Sequence, residues 1–548
     1  MPATLHYTKK IGWGQTYFVL LVLRLFFAFG RGYIHPDEHD ADGGITLGKQ
    51  FGFYTLPSKA WDPSYPRRSI LTPVYTSGMA YQAVQMWLWP NRNPYAMFVV
   101  ERLSMFYISL WLDSSVLELV IDPADRMRTV VLLASSFVML TFQVRPFSNS
   151  LEAVCVATCL SALKPIVHPL WHKTSRNHAP ELISLAISGV LGVFMGPTFL
   201  AFALPIIAQA LLWTIRRASQ NITSGQSRRS IWARWLELTY VSLTVAATLA
   251  IVITVMDTIL FRGKLSSDLI STPLNALHYH LFTSNPADHG PHLSWLHLLD
   301  NLSLIVGPGL LYYGIRAARE LWKPPTPLKS NSIDYIDISK TSLYVIVFSI
   351  SVLTALHLQD RRFFVPLLVP FIVLVGRSQQ IKRLGKVFWT FWFVFNVVFA
   401  ITFGVLHQGG VVPSLMNLHD RLGALNHTAP PEFNGTLASG VYWKTYPPPW
   451  HLLAPSLLAD TSSDLKDVPS EDMLESVVGL SSLAQETFLV APLYAMHDVP
   501  GEQKGCLELQ ERIYPHLDLE HLPQALGIYT ANAACLDLQV VGDDGASE

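Results

Sequence analysis

The sequence predicts an all-α membrane protein with about 10–12 transmembrane helices, followed by a smaller, more polar C-terminal region open to α/β structure. Three observations lead there. Half of the 548 residues are hydrophobic, only 14% are charged, and the mean hydropathy is +0.31. Apolar runs of near-spanning length recur from residue 11 to residue 406. Between them, basic loops alternate with loops rich in His, acids and aromatics, the pattern that membrane orientation imposes. The net charge of −1 gives nucleic acid nothing to bind.

In chain order, the runs are 11–30, 73–90, 96–119, 128–143, 151–167, 181–196, 198–215, 236–260, 293–315, 341–357, 363–376 and 387–406. Three of them, 128–143, 181–196 and 363–376, are short enough to be broken or partly buried. The first run follows Lys9 and Lys10, lacks a small-residue cleavage site, and reads as an uncleaved span. Arg216, Arg217, Arg228, Arg229 and Arg234 form one basic loop, and Arg377, Lys382, Arg383 and Lys386 another. Both should be cytosolic. Upstream, counting every run as a full crossing puts Arg145–Glu152 on the wrong side, so one segment between 73 and 196 must be re-entrant, interfacial or merged with its neighbour. Residues 1–406 thus form a multispanning domain with lumenal loops at 31–72 and 261–292. Residues 407–548 form a lumenal region with an alternating, strand-like stretch at Glu486–Tyr494. Asn426-His427-Thr428 and Asn434-Gly435-Thr436 are then accessible glycosylation sequons, whereas Asn221-Ile222-Thr223 is cytosolic. Cys155 and Cys159 share a helix face as free thiols. Cys506 and Cys535 can pair in an oxidising lumen, a geometry that sequence leaves open.

Polar chemistry gathers in five clusters. Gly32–Gly44 reads GYIHPDEHDADGG, two His and four acids directly after the first apolar run. Charge beside a bilayer is expensive, which marks a functional site, although a solvated acidic loop has the same composition. In an extended backbone Asp37 and Glu38 point apart, so one can face a substrate while the other makes structural bonds. His35, Asp37, His39, Asp40 and Asp42 are also potential metal ligands. A calcium loop from Glu38 fails at its twelfth position, where Lys49 replaces the bidentate Glu. In the second cluster, Arg145–Glu152 (RPFSNSLE), Arg145, Asn149 and Glu152 suit a site or a helix cap equally. The third, Ser271–Asn301, holds Asn275, His278, His280, His289, His292 and His297 among aromatics, residues that serve packing more often than ligation. In the fourth, Gln359-Asp360-Arg361-Arg362, two guanidinium groups are placed to bind a lipid phosphate, or to pair with Asp360. The fifth joins His407-Gln408-Gly409-Gly410 to Tyr442–Tyr446, which contains Lys444.

Seven pieces in this order, GYIHPDE, RRSILTPVYTSG, RPFSNSLE, GPTFLAFALP, STPLNALHYHLFTSNPADHGPH, QDRRFFVPLLVP and HQGGVVP, resemble the dolichyl-phosphate-mannose-dependent mannosyltransferases of the endoplasmic reticulum membrane (GT-C fold, glycosyltransferase family 22). The long Ser271–His292 piece is similar to the branch of fourth GPI mannosyltransferases. Departures are His39, Asp40, Ala41 and Asp42 after HPDE, Gly196 where the family has Arg, Leu358–Phe363 in place of HQExRF, and Asn285-Pro286 in place of NL. The resemblance implies a multi-pass endoplasmic reticulum enzyme with no cofactor and no metal. It would transfer mannose from dolichyl-phosphate-mannose to a GPI lipid precursor as the fourth, α-1,2-linked mannose, with inversion. Asp37 is then the base and Glu38 second in line. Arg362 binds the leaving phosphate, with Arg361, Lys444 and His407 behind it. His35, Arg145, Asn149, Asn275, His278 and His289 are loop or acceptor residues. A third GPI mannosyltransferase, another dolichol-dependent mannosyltransferase and an inactive subunit of a GPI-processing complex are the neighbouring readings. From another class, a lipid transporter or flippase would place ionisable groups near the midplane. There Asp113 and Asp257 are the few acids inside or bordering apolar runs.

Overall fold

The computed structural model describes residues 12–38, 61–87, 94–167, 178–219, 228–265, 267–283, 294–322, 337–356, 360–428, 436–452, 465–482, 484–521, 523–532 and 535–536. These residues are mostly helical, with one four-stranded sheet. They form two compact units. Unit one comprises Met1–Phe26, Asp62–Thr72 and Phe106–Val397, and unit two Phe27–Trp61, Pro73–Met105 and Val398–Glu548.

Six described helices are long and apolar enough to cross a bilayer: Pro94–Leu119, Ser148–Val167, Phe199–Ser219, Ile231–Arg262, Ile338–Ala355 and Lys386–Leu406. The other six predicted runs are shorter or broken. Run 11–30 is the helix Trp13–Ala28, and run 181–196 is Ala179–Met195. Run 73–90 contains a π-turn at Val74–Gly78 before Met79–Trp87. Run 293–315 divides at Gly307 (φ +84°) into Ser294–Val306 and Pro308–Leu321. Run 363–376 begins as a 3-10 turn, Arg361–Leu367, and continues as Leu368–Gly376, in which every residue is buried.

Run 128–143 lies in the stretch where the crossing count failed, and it bends by 64° between Pro123–Ala134 and Phe137–Val144. The sequence explains the bend. Asp122 caps the first helix by accepting the Ala124 N–H, with Pro123 at its first position. The Ser135 hydroxyl then bonds back to the Val131 carbonyl at 2.6 Å, and Ser136 caps the following turn. The Phe137 N–H, released by the break, donates to the Asn396 side chain at 2.7 Å. Charges inside unit one are likewise matched. Arg24 forms two hydrogen bonds to Asp113, at 2.7 and 3.1 Å, and Tyr17 adds a third at 3.0 Å. Asp257 accepts from Ser69, the Ile70 N–H and Thr272 at 2.8–3.0 Å.

In unit two, β1 (Thr436–Tyr442), β2 (Ala484–Pro492), β3 (Leu507–His516) and β4 (Gln524–Ala531) form a sheet of order β1-β2-β4-β3. β2 fulfils the alternating stretch seen in the sequence. β1 and β2 are parallel, with the helix Ser470–Ser481 between them in the chain, and the remaining pairs are antiparallel. Alternation along β2 sends Phe488 and Val490 into a core with Val411, Leu415, Tyr33 and Tyr81. Leu489 and Ala491 enter a second core with Met473, Leu474 and Val477. β2 is therefore buried on both faces, whereas the edge strand β3 keeps exposed residues. Cys506 and Cys535 form a disulfide with Cα atoms 5.6 Å apart, whereas Cys155 and Cys159 are buried free thiols.

Candidate active site

In unit two the GYIHPDE segment runs along the HQGG turn. The Gly32 N–H donates to the Gly404 carbonyl at 3.0 Å and the Tyr33 N–H to the His407 carbonyl at 2.8 Å. The approach is so close that a Cβ on Gly32 would fall 2.4 Å from the Phe403 carbonyl oxygen. Tyr33 is fully buried, stacks edge-on against Tyr446, and donates its hydroxyl to the Pro447 carbonyl at 2.9 Å.

Pro36–Glu38 forms one 3-10 turn rather than the extended backbone on which the divergence of Asp37 and Glu38 was argued. The two carboxylates still diverge, because successive residues of a 3-10 turn project about 120° apart. Their environments differ sharply. Glu38 is 2% exposed. One of its carboxylate oxygens pairs with Arg102 and the other accepts the Ile34 N–H at 3.0 Å. The Asp37 side chain keeps 24% of its surface and His35 32%. The Asp37 N–H donates to His35 Nδ1 at 3.1 Å, which leaves Nε2 to carry the proton of the neutral ring.

His407 is 3% exposed, edge-on to Phe403 and Tyr446. Lys444 has a positive φ of 56°, and its ammonium lies 5.8 Å from the Trp443 ring. His516 is buried, and neither of its ring nitrogens has a hydrogen-bond partner. Burial, aided by nearby His407 and opposed by Asp518, lowers its pKa to about 4.

In unit one the second and fourth clusters come together, as the Arg361–Leu367 turn packs on the helix Ser148–Val167. Arg362 is mostly buried and pairs with Asp360 at 3.1 Å, the ion pair anticipated as the alternative to phosphate binding. Glu152 is fully buried within electrostatic reach of Arg362, and accepts from Thr198 at 2.7 Å and from Asn149 at 3.2 Å. Arg145 and Asn149 are buried beside it in the chain. Gly196 has a physical reason: a Cβ there would lie 2.0 Å from Glu152 Oε1, so the carboxylate occupies the room that a side chain would need.

Also in unit one, Asn275 donates to the Pro66 carbonyl at 3.0 Å, and the Tyr65 hydroxyl lies 3.0 Å from His278 Nδ1. The Arg67 guanidinium sits 4.0 Å over the Tyr279 ring. These contacts pin 65–67 to the helix Thr272–His278. His289, Asn434, His39, Asp40 and Asp42 lie outside the described residues. No group of three or more potential metal ligands gathers among the described residues.

Sequence reasoning missed Arg102 and His516, and it included Tyr33 and Tyr446 in its clusters without giving them a role. It also counted too few charges within the apolar runs, since Arg24, Glu101 and Arg102 lie in them too. That charge inside an apolar run was the available signal for Arg102.

The profile of the Alg9-like mannosyltransferase family matches residues 15–455. The chain is 31% identical over 445 residues to GPI alpha-1,2-mannosyltransferase 4 of Homo sapiens, covering 77% of this chain and 72% of the relative. GPI mannosyltransferase 4 of Aspergillus oryzae is 31% identical over 514 residues, 88% of this chain and 87% of that protein. The Schizosaccharomyces pombe protein of the same name is 28% identical over 557 residues, 95% of each.

Proposed function

We propose that this chain, which belongs to the Alg9-like mannosyltransferase family, adds the fourth mannose, α-1,2-linked, to a GPI precursor at the lumenal face of the endoplasmic reticulum membrane. The donor is dolichyl-phosphate-mannose. The observation that carries this reading is the unequal treatment of two adjacent carboxylates. Glu38 is consumed by Arg102 and the Ile34 N–H, while Asp37 retains open surface on the same rigid turn. A general base needs that combination of fixed backbone and accessible oxygen. The Cys506–Cys535 disulfide supports lumenal placement of the C-terminal region.

In the proposed reaction Asp37 takes the proton from the acceptor hydroxyl. The hydroxyl oxygen bonds to the anomeric carbon as the bond from that carbon to the phosphate oxygen breaks. The electron pair leaves with dolichyl phosphate, and the β-linked donor gives an α-linked product. The departing anion needs no proton, only cationic partners. Arg362 leads these, followed by Arg361 and Lys444. His407 has little open surface and suits support of Tyr33 better than direct contact with an anion.

A transporter reading is weakened by Asp113 and Asp257, whose carboxylates are engaged by three or more hydrogen bonds each. The test is the lipid-linked intermediate that accumulates in cells lacking the protein. A three-mannose GPI precursor is expected. A two-mannose precursor would instead indicate a third GPI mannosyltransferase, and an unaltered GPI pathway would overturn the proposal. Asp37→Asn should insert normally and fail to clear the intermediate, with turnover down roughly 100-fold or more. Near-normal turnover in that variant would remove Asp37 from the mechanism.

A further inference from the structure

We infer that Arg102 is a positioning residue for the catalytic turn, acting on Asp37 through Glu38. The inference rests on the reading of Asp37 as base. Arg102 belongs to the helix Pro94–Leu119 and is completely buried. Its guanidinium pairs with a Glu38 carboxylate that is also buried, and the second oxygen of that carboxylate closes the turn by accepting the Ile34 N–H. The Glu38 N–H donates to the His35 carbonyl at 2.9 Å, so residues 34–38 form a loop fastened at both ends by Glu38. Asp37 sits inside that fastening, and its direction is set by a neighbour that Arg102 holds.

The residue beside Arg102 anchors the same helix elsewhere. Glu101 is 1% exposed and accepts from the hydroxyls of Ser77 and Tyr81. Ser77 lies in the π-turn Val74–Gly78. The Glu101-Arg102 dipeptide therefore fixes two segments of unit two, the broken helix of residues 74–87 and the HPDE turn. Two adjacent charges in an apolar run are costly, and a buried ion pair contributes little net stability compared with apolar packing. Positioning explains why such a pair stands at the one turn that presents Asp37.

The energetic argument gives the test its sharpness. If the pair served stability alone, apolar replacement of both partners would be tolerated, and removal of one would lower stability and abundance without a specific loss of kcat. If it positions Asp37, kcat falls while substrate affinity holds, since a displacement of about 1 Å in a reacting group costs roughly 100-fold. Arg102→Met, Arg102→Lys, Glu38→Gln and the Glu38→Gln/Arg102→Met pair should be purified full-length. Thermal stability and mannose transfer, with both substrates varied, should be measured for each. Arg102→Met should lower kcat roughly 100-fold with KM for donor and acceptor little changed, and Arg102→Lys should recover part of the loss. The double variant should be no worse than the poorer single one, because the two residues act as a unit.

A normal kcat in Arg102→Met, a loss carried by KM alone, or single losses that multiply in the double variant would each overturn the inference. Should Arg102→Met fail to insert, Glu38→Gln decides, because it keeps size and shape, and a normal kcat there refutes positioning too. The base reading fails separately. A turning-over Asp37→Asn enzyme removes the base itself, whereas a dead Asp37→Asn beside a normal Arg102→Met removes only the role of Arg102.

Discussion

His516 should make unit two acid-labile. The imidazole is 1% exposed at the end of β3, with neither ring nitrogen hydrogen-bonded. Its Nδ1 lies 3.3 Å from the position a Cβ on Gly410 would take, which places the ring against the HQGG turn that carries Tyr33. Burial holds its pKa at about 4, against an ordinary value of 6.5. The folded pKa is depressed, so between these values the unfolded chain binds the extra proton and the folded chain does not. Stability therefore rises with pH across that window. The contribution is complete above about pH 6.5 and lost as pH falls to about 4. At about 1.4 kcal/mol per pH unit, the window is worth about 3 kcal/mol. His516→Phe keeps a ring in the space without a group to protonate. Unfolding of the full-length protein in detergent, followed from pH 7.5 to 4.5, should show a steep acid loss in the wild type and a flatter one in the variant. Equal acid slopes in the two proteins would refute the assignment to His516.

Arg362→Ala should weaken donor use far more than acceptor use, by roughly 30–100-fold in rate, since charge-assisted bonds contribute about 2–3 kcal/mol. Arg362→Lys should recover only part, because a point charge replaces a fork, and unchanged donor kinetics would move the role to Arg361 or Lys444. Asn426 and Asn434 should carry glycan, so that deglycosylation shifts the mobility of the protein while Asn221→Gln has no effect. Loss of residues 420–548 to protease in sealed microsomes would contradict that topology. Gly196→Ala should displace Glu152 from Thr198 and Asn149 and destabilise the protein by about 1–3 kcal/mol, read as a lower Tm, with an unchanged Tm as the contrary result.

Membrane character was legible because hydropathy depends on composition over a window, which survives any detail of packing. The boundaries of Ser148–Val167, Phe199–Ser219 and Lys386–Leu406 follow the apolar runs closely for that reason. Breaks were less legible. Hydropathy does not register that the Ser135 hydroxyl turns back on Val131, or that Asn396 takes up the Phe137 N–H, yet those two bonds accompany the bend in run 128–143. The strand β2 could be read from the alternation at Glu486–Tyr494, while its pairing with β1 and β4 could not, because partners lie far apart in sequence. At the site, the resemblance already ranked Asp37 ahead of Glu38, and burial adds a physical difference between them that no sequence pattern carries. Arg102 is 64 residues from Glu38, and no local pattern joins them.

Taken together, the charges within this apolar chain separate by what neutralises them. Arg24 answers Asp113, Arg102 answers Glu38, and Asp257 is enclosed by two hydroxyls and a backbone N–H. Each is buried, and removing one partner of either ion pair would leave the other uncompensated at a cost of about 3–5 kcal/mol. A transporter needs ionisable groups that change partners near the midplane, and these do not have that freedom. Asp37 and Arg362 differ because each has solvent-facing surface remaining, 24% and 16% of the side chain. A partly open carboxylate suits deprotonation of a hydroxyl, and a guanidinium with an exposed edge, even one paired with Asp360, suits a phosphate. The Arg102–Glu38 pair holds the turn that presents Asp37, so the carboxylate locked in an ion pair is scaffold and the one left partly open carries the proposed chemistry.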